Sequence, residues 1–179
     1  ADRCAPMTGK RVNASGNNGY GLYSAGGSNM SVSRMVHIHN KFNGVRVNSQ
    51  DRVNTGLTDL IGNGWASPVG PTQGTSIPNL TVANGSGYHA SHPGSLLFSS
   101  ASSNAYVYSS AFFYSRGALL GSAKTYNLHV RGTAVAILTS CIFRNSEGTN
   151  IYGTLGAHIQ LRGQGESVDF GKGHGIHVE

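Results

Sequence analysis

Short apolar segments recur every seven or eight residues through the second half of the chain, and this spacing constrains the fold more than any other feature. The segments are Tyr106-Val107-Tyr108, Phe112-Phe113-Tyr114, Ala118-Leu119-Leu120, Leu128-His129-Val130, Val135-Ala136-Ile137, Cys141-Ile142-Phe143, Asn150-Ile151-Tyr152, residues 158–161, Val168-Asp169-Phe170 and Ile176-His177-Val178. Grouped in threes they repeat at about 22 to 24 residues. Residues 102–106, 124–128 and 148–152 occupy similar phases. Three short strands per turn is what a right-handed parallel β-helix needs, each coil stacking on the next over a narrow apolar column. About three such coils are expected in this half. An antiparallel β-sandwich or jelly roll is the alternative, because it also produces short strands at regular spacing.

Composition favours strands over helices. The chain holds four Lys and three Glu, whereas helical faces carry many of both. Gly, Ser, Asn and Thr make up 74 of the 179 residues, and these favour turns, bulges and short strands. The reading is all-β. Residues 1–30 lack periodicity and read as a flexible, Gly-rich N-terminal arm, which Tyr20, Leu22 and Tyr23 could anchor on a partner. Residues 31–179 read as one β-rich domain. Its first strands lie at 31–61, and a Pro-rich irregular segment at 66–95 contains Pro68, Pro71, Pro78 and Pro93.

Charge and cysteine content remove several function classes. The net charge is +6, but the basic residues are scattered from Arg3 to Lys172 without a stripe, which argues against nucleic-acid binding. No run approaches the roughly 18 apolar residues of a membrane helix. Two cysteines are too few for a disulfide scaffold, and Cys141 in its apolar run reads as a buried small hydrophobe. The N-terminus has no apolar signal-peptide region and reads as a chain whose initiator Met was removed, made in a host cytoplasm.

The segment Ile142-Phe143-Arg144-Asn145-Ser146-Glu147-Gly148-Thr149-Asn150-Ile151 resembles the coils of bacteriophage tailspike and pectate-lyase-like β-helices. In those coils a C-x-F-x-N-x-x-G turn precedes an N-I strand. The stretch Ser31 to Val53 is similar to another such coil. Small tailspike-like proteins also act as trimeric cement on phage heads. The resemblance therefore implies a non-enzymatic virion structural protein, a homotrimer held against a major capsid or tail protein, with no cofactor. It implies a depolymerase or a glycan-binding receptor tip as the alternative.

Three constellations could carry chemistry. A polysaccharide-cleaving enzyme needs two carboxylates about 5 to 10 Å apart. Glu147 and Asp169 are about one coil apart and could stack, although turn residues paired with Arg would look the same. His37-Ile38-His39 places two imidazoles on one face of an ideal strand, and three copies around a trimer axis could bind iron, nickel or zinc. Without that trimer they are surface or interface histidines, and no metal is expected. Tyr106, Tyr108 and Tyr114, with Phe112 and Phe113, could form an oligomer contact or a sugar-stacking face, with core packing as the plainer role. Tyr20 and Tyr23 are the corresponding contact candidates on the arm.

Overall fold

Among the described residues every strand pairing is parallel, and the strands wind into a β-solenoid of about six turns. The computed structural model describes residues 7–63, 78–90, 96–98, 103–163, 167–168 and 172–179. The parallel winding excludes the sandwich. The chain enters through β1 (Met7–Gly9) and β2 (Val12–Asn13), then β3 (Leu22–Ser24) and β4 (Asn29–Ile38). The next coil is β5 (Val45–Val47) and β6 (Arg52–Ile61), followed by β7 (Leu80–Val82), β8 (Gly87–Ala90) and β9 (Leu96–Phe98). Then come β10 (Ser103–Tyr108), β11 (Phe112–Arg116) and β12 (Leu119–Gly121), and β13 (Tyr126–Arg131), β14 (Val135–Thr139) and β15 (Ile142–Arg144). The last coils are β16 (Thr149–Thr154), β17 (His158–Arg162) and β18 (Ser167–Val168), and finally β19 (Ile176–Val178).

Two expectations change here. Residues 7–24 do not form an arm. Met7 pairs with Met30, Val12 with Met35 and Leu22 with Val45, so these residues are already coils of the stack. The Pro-rich segment lies largely outside the described residues, and its described part, 78–90, contains β7 and β8 rather than irregular chain. The stack is accordingly about twice as tall as the sequence period suggested.

The strands form two sheets. Seven strands, β3, β5, β7, β10, β13, β16 and β19, make one flat ladder. The other twelve make a second sheet that turns a corner. In β4 and β6 one ten-residue strand runs through the bend, whereas later coils split there into two strands. The bend explains a phase change in β4. Met30 and Val32 point inward, then Met35 and His37 do, with the alternation shifting at Ser33-Arg34.

Inward positions stack into columns. Val53, Tyr88, Phe113 and Ala136 form one, and Val47, Val82, Val107 and Val130 form another. All are buried. Cys141 is buried as expected, its thiol against the carbonyls of Ser115 and Thr139.

Corners explain the composition. After the seven-stranded sheet, successive coils place Gly26, Ser49, Asn84, Ser109, Gly132 and Leu155 at one position, each with φ between 53° and 100°. Other corners repeat the device at Gly16, His39 and Gly62, and at Gly117, Ser140 and Gly163. Left-handed backbone favours Gly, and tolerates Asn, so a coil that needs it several times per turn draws heavily on such residues.

An asparagine ladder, buried from Asn40 onward, runs along the corner that leads into the seven-stranded sheet. Asn17 Nδ2 donates to Asn40 Oδ1 at 2.9 Å, Asn40 to Asn63 at 2.9 Å and Asn63 to Asn79 at 2.9 Å. The series continues from Asn79 to Asn104 at 3.1 Å, to Asn127 at 2.7 Å and to Asn150 at 2.5 Å. Second amide protons go to main-chain carbonyls, such as Gly121 for Asn104 and Arg144 for Asn127. In the lower coils the side chain comes from four residues earlier, and Gly44 leaves the room for it. A Cβ at Gly44 would lie 2.7 Å from Asn63 Nδ2.

Candidate functional site

Parallel register turns the outer face of the seven-stranded sheet into a column of rings. In neighbouring coils Tyr23 is opposite Arg46, then Thr81, Tyr106, His129, Tyr152 and His177. Coils stack at about 4.7–4.9 Å, close to the spacing aromatic rings adopt when they stack. An outward aromatic repeated at one register position therefore stacks on its neighbour automatically.

The rings form two groups on this face. In the upper group Tyr108 stacks on Tyr106 at 4.7 Å between centroids, and Tyr106 meets His129 at 4.7 Å. Tyr126 stacks on Tyr152 at 4.6 Å with the planes 13° apart, and both contact His129 at 5.0 Å. His177 follows at 5.4 Å from Tyr152, and His174 at 5.1 Å from His177. In the lower group Tyr20 stacks on Tyr23 at 5.2 Å and lies 5.2 Å from Phe42. The Arg46 guanidinium is 6.0 Å from the Tyr20 ring and donates to its hydroxyl at 3.3 Å.

A groove of about 440 Å³ opens on the upper group, lined by His129, Arg131, Tyr152, Thr154, Leu155 and Glu179. Its floor is ring surface. Burial first, and then the nearby charge of Arg131, lower the pKa of His129 to about 4, so the ring is neutral near pH 7. Its Nε2 is buried with no hydrogen-bond partner among the described residues. The Tyr152 phenol is held above its usual range, chiefly by its hydrogen bond to Glu179 at 3.0 Å. Glu179 also lies 3.6 Å from His177.

Leu155 stands on the rim with φ of 56° and two-thirds of its surface exposed. Left-handed backbone costs an ordinary residue about 1–2 kcal/mol. Leu155 is the one apolar side chain among the described non-glycine residues with positive φ.

The expected site residues fall as follows. Tyr106 and Tyr108 share the ring face, and Tyr20 and Tyr23 lie on the same sheet at its lower end. Tyr114 does not join them. It lies on β11 in the twelve-stranded sheet, where it stacks on His89 at 4.4 Å. His37 and His39 do not share a face. His37 is fully buried, while His39 lies beyond the strand with φ of 53° and is exposed, because the left-handed corner turns its side chain away. Asp169 lies outside the described residues. Among the described residues, Glu147 has no acid at its register position in the adjoining coils. Its backbone amide bonds the Ala123 carbonyl and that of Lys172 bonds Ser146, so the corner register runs Lys124, Glu147, Lys172.

The other described acids are committed elsewhere. Asp51 is buried and accepts from the Gly27 and Ser28 amides at 2.6 and 2.8 Å and from the Ser24 hydroxyl. Asp59 pairs with Arg34 at 3.3 Å. No group of three metal-ligating side chains occurs among the described residues. Sequence reasoning missed Tyr126, His129 and Tyr152. The available signal was the coil register: 23 residues beyond Tyr106 is His129, and 23 beyond that is Tyr152. Compared with protein-family models, curated proteins and solved structures, the chain matches none.

Proposed function

We propose that the chain is a non-enzymatic surface protein of a phage-like virion whose solenoid presents a glycan-binding face. The observation that carries this reading is the ladder of Tyr108, Tyr106, His129, Tyr126, Tyr152 and His177, open to solvent on one side of a stiff parallel stack. Sugar rings have an apolar C–H face that suits aromatic platforms, and tyrosine hydroxyls at the ring edges offer hydrogen bonds. A contiguous exposed aromatic strip is a common mark of a binding surface. The rigid floor lowers the ordering penalty that a flexible site would carry.

Binding of bacterial surface polysaccharides to the intact chain tests the proposal. Tyr106→Ala and Tyr152→Ala are each expected to weaken binding by roughly tenfold or more, as central aromatic anchors do. Unchanged binding in both variants, or no glycan bound by the wild type, would count against it.

A second reading, assembly as a homotrimeric capsid cement or decoration protein, draws on the other sheet. Phe112 and Tyr114 on β11 face outward beside Val135 and Ile137 on β14, an uncharged patch across two coils. Light scattering during size-exclusion chromatography tests it. A mass near three chains that falls to one chain in Phe112→Ser/Ile137→Ser supports assembly through this patch, and a monomeric wild type argues against it.

A further inference from the structure

We infer that Leu155 is the specificity-determining residue of the ring face, and that the glycan it selects carries an acetyl group. The inference rests on the reading of that face as a glycan site. Six coils place a left-handed residue at the same corner, and five fill it with Gly, Ser or Asn. The sixth is Leu155, which accepts the unfavourable backbone and leaves its side chain two-thirds exposed. Neither the fold nor the core gains from this choice, since Gly132 and Ser109 make the same turn one and two coils away. Outliers of this kind concentrate at ligand clamps, where the surrounding structure holds them in place.

The surroundings of Leu155 define what it meets. It lines the same groove as the Tyr152 and His129 rings, with Arg131 on the rim. The Arg131 guanidinium has no ion pair or hydrogen bond among the described residues. A sugar ring seated on Tyr152 and His129 then faces an aliphatic surface and a guanidinium together. A hydroxyl satisfies the second and is wasted on the first. An acetyl group suits both, because its methyl packs on Leu155 and its carbonyl accepts from Arg131. An N-acetyl or O-acetyl substituent presents the same chemistry.

The test uses the full chain on an array of bacterial surface polysaccharides, each printed native and after mild-base removal of O-acetyl groups. Chitin oligosaccharides printed beside chitosan oligosaccharides cover the N-acetyl case. Wild type is expected to bind acetylated members at least about tenfold more tightly than their deacetylated partners, the lower end for one apolar group in a pocket. Leu155→Asn and Leu155→Gly are expected to lose that preference while melting no lower than wild type, because both residues suit the corner. Equal binding of both partners by wild type, or a preference that survives in the variants, overturns the inference. If Tyr152→Ala still abolishes binding in that case, the glycan reading stands without it. If no glycan binds, or the tyrosine variants bind normally, both fall.

Discussion

His37 shows how one inward position can load a fold with a pH dependence. Its ring is fully buried at the lower end of the stack, and neither nitrogen has a partner among the described residues. The nearby Ala14 carbonyl accepts from Asn40 Nδ2 at 2.8 Å. Burial lowers the His37 pKa to about 4, with the Ala14 backbone opposing weakly. The unfolded chain takes up this proton near pH 6.5 and the folded chain only near pH 4, so stability is full above pH 6.5 and falls as pH drops toward 4. The loss is up to about 3 kcal/mol for a shift of this size. Urea midpoints at pH 7 and 4.5 are expected to differ less in His37→Leu than in wild type, and an equal difference would remove His37 as the cause. The sequence offered His37 and His39 as a pair because strict alternation puts i and i+2 together. The bend at Ser33-Arg34 and the left-handed corner at His39 are tertiary demands that alternation does not encode.

The asparagine ladder is the element whose loss should be felt most. Asn104→Ala removes the acceptor of Asn79 and the donor to both Asn127 and the Gly121 carbonyl. Each buried polar group left unpaired costs about 1–3 kcal/mol, so a loss of roughly 3 kcal/mol or more is expected in denaturant unfolding. A loss below about 1 kcal/mol would mean that water replaces the rung. Part of this was legible beforehand. The similarly phased segments at 102–106, 124–128 and 148–152 each contain a rung, Asn104, Asn127 or Asn150. Their hydrogen bonding was not legible, because phase gives coil position without saying which side chains turn inward. The ring face was hidden for a related reason: Tyr106 and Tyr108 looked like one cluster with Tyr114, but the corner after Tyr108 sends β11 into a different sheet.

At the scale of the whole molecule, one coil is much longer than the others. Most partners are 23 residues apart, but Val45 pairs with Leu80, 35 residues on. The extra residues enter between Asn63 and Asn79, where the Asn63 amide and side chain both donate to Asn79 Oδ1, at 3.0 and 2.9 Å. The corner is thus closed across the insertion. Deleting twelve residues within 64–77 restores the common pitch and is expected to leave the melting temperature within a few degrees. A collapse of the fold would show that the inserted chain supports the stack. The early coils keep the 23-residue spacing too, but the inserted chain breaks it midway and so hid it from the sequence period. The ladder has a last consequence. All its amides point the same way, with each NH₂ toward the next coil, whereas the backbone dipoles of a sheet largely cancel. A protein with no helix among its described residues thereby acquires an axial macrodipole, partially negative at Asn17 and partially positive at Asn150. Its two ends are electrically unlike, so copies meeting end to end would be attracted head to tail and repelled head to head.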